Sequence, residues 1–383
     1  MARFFIHVFF LMMLCGACFV ARSGDSLELV VNTTDLSKDA QAAEQWMNRQ
    51  ELFVIDTAAT GYIERIAAHV GAGDSVVSRL HIRLAKMCAP NAVTYANGLL
   101  LMCTGVFAAI DNEDQLALLL AHEIAHLELN HHVRERYVLH QRSVEMVRNG
   151  IIGSLFVGSL ATAGLEISLQ HAMCGFSREM EAEADNGALD RIIRAGYDPA
   201  TAILLFDNLK ACGGDDSAQT DPLLYTHYRL SDRAARGREY LAAQHCSSVP
   251  VALYDDEYRN RLGRVRFTNA NECITVSDWN LALRSVDAYL GSNPLSASAA
   301  AVKGDVFLMR RGQADLDSAM VYLRKAITDD SVLAAAHRDL GYCYLLKGQM
   351  DTARACLSRY QSLSPAATDS AFVKFYLRYI DER

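Results

Sequence analysis

The hydrophobic pattern at the start of the chain predicts a polar lead-in followed by one helix. Residues 26–48 are mostly polar and small, which is typical of an exposed segment. Apolar residues then recur at helical spacing over 52–70. We expect Gly71 and Gly73 to end this helix, because glycine disfavours its continuation.

After this helix the hydrophobic period shortens to that of β-strands. Residues 80–84 alternate apolar and polar side chains, and both 92–95 and 99–103 are rich in apolar residues. Asn97-Gly98 lies between the last two segments, and Asn-Gly strongly favours a tight hairpin turn. The pattern therefore predicts three strands, of which the last two form a hairpin.

Several helices are predicted in the middle of the chain. Asp111 can cap the longest one, whose first turn is acidic and whose apolar pattern runs without interruption over 115–147. Asn149-Gly150 then ends it, and Ser177 can cap the next helix. The later helices are expected at 178–194, 199–210 and 231–244.

The last hundred residues repeat themselves. Three apolar or small positions recur 34 residues further on: Ala319, Leu323 and Ala326 become Ala353, Leu357 and Tyr360. This is the spacing of tetratricopeptide repeats, in which small residues let two antiparallel helices pack closely. We expect two full repeats, an incomplete one that ends near Pro294, and a terminal helix over 371–380. A generic helical bundle is the alternative.

Composition allows two domains and argues against one class of partner. The 383 residues are 51% hydrophobic and 21% charged, as in ordinary globular proteins. The formal net charge is -8 and no basic run stands out, so nucleic acid is not expected to be a partner. Of the ten cysteines, the eight that follow residue 24 include no C-x-x-C pair, and their disulfide pairing does not follow from the sequence.

The N-terminus has the pattern of a secretory signal. Arg3 precedes an apolar run over 4–14 that is short for a membrane span, and small residues follow. An uncleaved anchor is the alternative. Cys18 follows Gly16-Ala17, as in lipoprotein leaders, although Cys15 stands where those leaders usually carry leucine. Lipid attachment through Cys18 is therefore a further hypothesis.

A second uncharged segment covers residues 151–165. Fifteen residues fall short of a spanning helix. We interpret the segment as a buried helix or apolar lining, with peripheral contact to lipid or to unfolded protein as the alternative.

The strongest chemical signal is His122-Glu123-Ile124-Ala125-His126. Residues four apart share one face of a helix, so the two histidines can hold one metal ion together. Glu123 can reach a water molecule bound to that ion. H-E-x-x-H on a helix is therefore a zinc peptidase signature, although five-residue patterns also arise by chance.

A catalytic zinc site needs a third protein ligand, and two candidates compete. His132 has the spacing of the metzincin signature, but on an uninterrupted helix it lies about 240° round the axis from His126. His131 fails by similar geometry. Glu181, on the next predicted helix, can face the histidine pair while Asp185 shares its face and accepts a ring N–H from one histidine.

These motifs resemble those of the HtpX-like and CAAX-prenyl-protease-like zinc metallopeptidases. The matching segments are 122–126, 177–185, Asn91-Ala92, Thr104-Gly105, 195–199 and 226–233. Together they lie within roughly residues 50–245. Tyr228 departs from the family pattern, in which proline usually follows His227.

The resemblance implies one zinc ion per chain, bound by His122, His126 and Glu181, with Glu123 as the catalytic base. Zinc would lower the pKa of a bound water molecule. Glu123 would take a proton as this water attacks a peptide carbonyl, and would return it to the leaving amine.

Two further roles are predicted, one for a residue of the matching segment 226–233 and one for a strand. His227 is expected to stabilise the oxyanion, with Arg233 holding its loop. The alternatives for His227 are a surface position, or occupation of the open zinc position in a latent enzyme. We expect an extended substrate to pair along the last predicted strand, formed by Leu99, Leu100, Leu101, Met102 and Cys103.

The predicted fold is mainly α: a gluzincin-like metallopeptidase domain with a small β-hairpin or sheet, then an α-solenoid of tetratricopeptide repeats. The predicted divisions are a signal peptide at 1–24, the peptidase domain at 25–250, a linker or first repeat helix at 251–277, and repeats at 278–383.

The leading hypothesis is a periplasmic zinc endopeptidase that degrades misfolded or misassembled envelope proteins. Its repeats would select clients or dock onto the outer-membrane assembly machinery. The alternative from another class is a chaperone or adaptor that acts mainly through the repeats.

Overall fold

The structure is a computed structural model that describes residues 33–135, 176–213, 230–244, 255–312 and 314–382. The chain divides into two compact units, Met1–Arg261 and Leu262–Arg383. None of the helices in the described ranges combines the length and apolar character needed to cross a membrane. Four predicted features lie outside those ranges: the leader 1–24 with Cys18, the segment 151–165, the linker start at 251–254, and His227.

Unit 1 begins with helix α1, Thr33–Arg49, where the sequence pattern predicts an exposed lead-in. That prediction was wrong over residues 33–48. Ala40, Ala43 and Met47 are at most 6% exposed, and they share one helical face at spacings of three and four residues. Two of the three are alanines, so this apolar stripe is inconspicuous among its polar neighbours in the sequence.

Helix α2, Thr57–Val70, begins five residues later than predicted and ends at Gly71 as expected. Asp56 caps it, since its Oδ1 accepts from the Ala59 amide at 3.0 Å. The preceding residues are extended instead, because the Val54 amide donates to the Leu84 carbonyl and Lys86 donates to Leu52.

Strands β1, His81–Ala85, β2, Ala92–Thr94, and β3, Leu99–Cys103, form one sheet in the order β1-β3-β2. The predicted hairpin between β2 and β3 is confirmed, and Gly98 has the positive φ of 89° that its turn needs. β1 pairs with β3 in parallel on the other side.

β3 is therefore the central strand, and all five of its residues are buried. The prediction that it is the edge available to substrate was wrong, because both of its sides carry ladder hydrogen bonds. The residues concerned are Leu99, Leu100, Leu101, Met102 and Cys103. The edge strand next to it is β2.

Helix α3, Glu113–Glu128, is buried along almost its whole length and holds the H-E-x-x-H motif. Asn112 rather than Asp111 caps it, with Oδ1 accepting from the Gln115 amide at 3.0 Å. The prediction of one unbroken helix to residue 147 was wrong. Asn130 has φ of 51°, a left-handed conformation that asparagine tolerates, and a separate helical segment starts at residue 131.

Helix α4, Arg178–Arg194, has the predicted bounds, and the Ser177 Oγ accepts from the Met180 amide at 3.3 Å. α4 packs along α3. The predicted helix 199–210 is divided at Ile203 into two shorter helices. The remaining helices of this unit are α5, Pro199–Ala202, α6, Leu204–Ala211, and α7, Leu230–Ala243.

Helix α8, Asp255–Thr275, spans the division between the units. Consecutive helices of unit 2 pack against one another as hairpins, so the predicted fold class is confirmed. The predicted repeat positions on α11 and α13 are all buried. The helices are α9, Trp279–Ser292, α10, Ala297–Arg310, α11, Asp315–Asp329, α12, Ala334–Leu346, α13, Met350–Leu363, and α14, Ser370–Asp381.

One acidic residue of the repeats, Asp305 on α10, should reduce stability at neutral pH. Burial, reinforced by the nearby Asp339 carboxylate and opposed by Arg338, raises the pKa of Asp305 to about 6. The folded state therefore carries an unfavourable charge above pH 6, and stability rises as the pH falls towards the pKa of the unfolded chain, about 3.9.

Asp305→Asn should remove this unfavourable charge and stabilise the chain at pH 7.5 by on the order of 1–2 kcal/mol, discounted for partial solvent exposure. At pH 4 the variant and the parent should unfold at nearly the same temperature, because the folded parent is then also uncharged at this position. Thermal unfolding at the two pH values measures this, with the exposed Asp351→Asn as control. An equal melting temperature of Asp305→Asn and parent at pH 7.5 would contradict the prediction.

Candidate metal centre

The H-E-x-x-H motif lies in the middle of α3, where packing against α4 excludes water. His122, Glu123 and His126 are 3%, 0% and 0% exposed. The Nε2 atoms of the two histidines are 2.9 Å apart, because the residues stand one helical turn from each other. Two ring nitrogens therefore converge on one point of the helix surface.

Glu181 completes this group from α4. Its Oε2 lies 3.6 Å from His122 Nε2, and its Oε1 lies 3.5 Å from His126 Nε2. One donor atom from each of the three residues can be chosen so that all lie within 4.8 Å of one another. Two imidazoles and one carboxylate form a donor set that suits zinc and leaves a fourth position for water.

Asp185 lies one turn after Glu181 and contacts the other nitrogen of His122. Its Oδ1 is 3.0 Å from His122 Nδ1, as the helical spacing predicts. Arg233 on α7 donates from Nη2 to the same Oδ1 at 2.7 Å, and its Nη1 lies 3.4 Å from Glu181 Oε2. The guanidinium thus bridges two buried carboxylates while its flat face covers the Phe206 ring at 4.6 Å.

The charges of this group depend on one another. Burial alone would raise the pKa of the Asp185 carboxyl, but the Arg233 guanidinium and His122 outweigh it and hold that pKa well below its usual range. Burial likewise opposes the charge on Arg233, yet Asp185 and Glu181 raise its pKa. Both groups are therefore charged at neutral pH although each is less than 10% exposed.

Thr94 at the end of β2 holds the carboxylate of Glu123. Its amide donates to Glu123 Oε2 at 3.0 Å, and its hydroxyl donates to the same oxygen at 3.1 Å. No pattern in the sequence points to this contact, because threonine is common in strands. The sheet therefore meets the H-E-x-x-H helix at the residue with the expected catalytic role.

His132 is not a member of the three-residue donor group. The break at Asn130 turns it inward instead of leaving it on the helix surface, so that its Nε2 lies 3.3 Å from Thr94 Oγ1. Burial and the neighbouring His131 lower the pKa of His132 to about 4. It is therefore neutral near pH 7, beside the edge strand.

Two contacts of His126 were not foreseen from the sequence. Phe176 stacks on its ring with centroids 4.0 Å apart and an angle of 22° between the planes. His131, which is fully buried, places its Nδ1 2.8 Å from His126 Nδ1. The helical projection excluded His131 as a ligand, but it assumed an unbroken helix and missed this contact.

Comparisons with known proteins agree with this geometry. Residues 59–240 match peptidase family M48. The chain is 25% identical over 342 residues to the beta-barrel assembly-enhancing protease of Escherichia coli (strain K12), covering 80% of this chain and 69% of that protein. It is 29% identical over 160 residues to the mitochondrial metalloendopeptidase OMA1 of Schizosaccharomyces pombe, covering 40% and 43%.

Among solved structures, the TPR2AB domain–pHSP90 complex of yeast Sti1 is similar at 12% identity. The match covers 70% of this chain and 92% of that one, with a TM-score of 0.30, and supports no conclusion. The sequence matches, in contrast, do support a conclusion. Residues 59–240 match peptidase family M48, and together with its similarity to the beta-barrel assembly-enhancing proteases this indicates that the chain is a metallopeptidase.

Proposed function

We propose that this metallopeptidase is a zinc-dependent endopeptidase that hydrolyses misfolded or misassembled outer-membrane and other envelope proteins in the periplasm. The observation that carries the proposal is the convergence of His122, His126 and Glu181, with Glu123 next to the pair. These three residues would hold the zinc ion. When bound, the ion would act as a Lewis acid that lowers the pKa of a coordinated water molecule and polarises a peptide carbonyl.

The side chains around the proposed zinc position would have the other catalytic and supporting roles. Glu123 takes the proton of the attacking water and passes it to the leaving amine. Thr94 orients Glu123 by donating twice to one carboxylate oxygen. Asp185 fixes the tautomer of His122, and Arg233 compensates the buried negative charge of Asp185 and Glu181. His227 is our candidate for oxyanion stabilisation.

An extended, unfolded polypeptide fits the edge of the sheet. β2 pairs with β3 on one side, and its Thr94 amide points away from β3 towards Glu123. Among the strands of the described ranges, none pairs with that outer side of β2. A substrate strand lying there would bring a peptide bond close to Glu123, and backbone pairing would impose little side-chain preference.

Three observations support the compartment and the clients. Several relatives are named beta-barrel assembly-enhancing proteases, including those of Escherichia coli and Yersinia pestis. Residues 1–24 have the pattern of a secretory signal. Cys88 and Cys273 each take part in a disulfide bond, which is typical of oxidising compartments. The repeats would dock clients or the assembly machinery.

Glu123→Gln tests the proposal. The variant should retain zinc but lose roughly 10²–10⁴-fold in the rate of peptide-bond cleavage, because the amide cannot accept the proton. The measurement uses the full chain loaded with zinc and a denatured outer-membrane β-barrel protein as the probe, with cleavage followed by mass spectrometry.

The matched control is Glu64→Gln, an exposed glutamate on α2 that lies outside the metal group. It should cleave the probe like the parent. Unchanged turnover of the probe by Glu123→Gln would exclude the proteolytic mechanism and favour the chaperone or adaptor alternative.

A further inference from the structure

His126 has a hydrogen-bonding partner that differs from that of His122. His122 uses its Nδ1 to contact a carboxylate directly, at 3.0 Å from Asp185 Oδ1. The Nδ1 of His126 instead lies 2.8 Å from the Nδ1 of His131, in a fully buried contact between two imidazoles. One of these nitrogens must donate and the other must accept.

The contact made by the other ring nitrogen of His131 determines which Nδ1 donates. Its Nε2 lies 3.1 Å from Glu183 Oε2, and Arg134 donates to that oxygen from Nη1 at 2.5 Å. A carboxylate paired with arginine is ionised and can only accept, so Nε2 of His131 carries the hydrogen. The Nδ1 of a neutral His131 is then an acceptor, and His126 donates from its own Nδ1. This leaves the His126 Nε2 lone pair for the metal position.

The chain reversal at Asn130 makes this contact possible. With φ of 51°, Asn130 ends α3 and starts a separate helical segment, which returns His131 towards the ring of His126. Arg134, one turn further on the new segment, reaches Glu183 on α4. The same segment thus supplies both the acceptor for His126 and the cation that fixes Glu183.

We propose that His131 is a positioning residue for His126, held by Glu183 and Arg134. It fixes the tautomer of the His126 ring while Phe176 fixes the ring plane at 22° to its own. Partners of this kind typically raise metal affinity 10–100-fold, because the ligand no longer loses tautomeric and rotational freedom on binding. The inference rests on the proposed zinc site but concerns metal binding, which is measured without substrate.

The test compares Zn²⁺ affinity of full-length variants by competition with a chromophoric chelator. His131→Leu keeps the volume but removes the acceptor, and should weaken Zn²⁺ binding by roughly 10–100-fold. His131→Asn places an amide oxygen near the former Nδ1 and should recover most of that loss. The absorption spectrum of bound Co²⁺ should change in His131→Leu and return towards the parent in His131→Asn.

Glu183→Ala provides a second test if His131→Leu does not fold. The Glu183 side chain is 44% exposed, so its truncation should not prevent folding. It should also weaken Zn²⁺ binding, while Glu179→Ala, one turn earlier on α4 and exposed, should not. Parental Zn²⁺ affinity in folded His131→Leu, or in Glu183→Ala, would overturn the inference and leave the proposed peptidase intact. A parent chain that binds no Zn²⁺ would overturn both.

Discussion

Replacing Glu181 with glutamine is expected to abolish stoichiometric zinc binding and, with it, peptidase activity. The substitution removes the charge of a carboxylate whose Oε2 lies 3.6 Å from His122 Nε2 and whose Oε1 lies 3.5 Å from His126 Nε2, while it leaves the volume of the side chain almost unchanged. The loss of affinity should exceed the roughly 10–100-fold typical of partners that contact only the ligands. Zinc content after dialysis against a weak chelator measures it.

Two matched variants make the Glu181 result specific. Glu179→Gln removes the same charge from the exposed side of the same helix and should keep full zinc content. His132→Ala should also keep it, because His132 contacts Thr94 and is not in the donor group. Loss of zinc in His132→Ala together with retention in Glu181→Gln would instead indicate a metzincin-type site.

Arg233→Met is expected to destabilise the metal-free chain by about 3–5 kcal/mol, since breaking a buried ion pair leaves uncompensated charge. Arg233 is 4% exposed and contacts Asp185 and Glu181, which are 7% and 0% exposed. Methionine keeps the apolar contact with Phe206 but supplies no charge. Denaturant unfolding of the chelator-treated protein at pH 7 measures the difference.

The destabilisation caused by Arg233→Met should depend on pH, because it arises from the charge of Asp185. In the parent, the pKa of Asp185 is depressed, so its contribution to stability is present above the unfolded pKa of about 3.9 and is lost as the pH falls through the lower folded value. In Arg233→Met the carboxyl is buried without its cation, and protonation relieves the cost. The difference in free energy of unfolding between parent and variant should therefore decrease from pH 7 towards pH 4. A difference that stays constant over this range would show that lost packing, not charge, causes the destabilisation.

The sequence was sufficient where local chemistry determines the structure. Ser177 and Gly196 mark the ends of α4, and Asn97-Gly98 marks the hairpin, because capping and turn preferences act over a few residues. The His122, His126 and Glu181 group could be anticipated because one helical turn places two side chains on one face. The repeats were recognisable from their period alone.

Long-range pairing and one unusual backbone conformation could not be read from the pattern. The parallel pairing of β1 with β3 places the predicted edge strand in the centre of the sheet. At Asn130 the apolar pattern continues without interruption, so the left-handed residue is not visible as a helix end. The projection of His131 and His132 on an ideal helix therefore misplaced both side chains, although neither belongs to the donor group, and it missed the contact of His131 with His126.

The division of the ligands between two helices gives a bound ion a mechanical role. The histidines come from α3 and the carboxylate comes from α4, so the ion would cross-link two helices that the sequence separates widely. A folded chain that binds zinc while the unfolded chain does not gains stability with every increase in affinity, about 1.4 kcal/mol for each factor of ten. The metal would then stabilise the peptidase domain by linking α3 to α4. Loss of zinc would weaken the packing of these two helices as well as abolish peptidase activity.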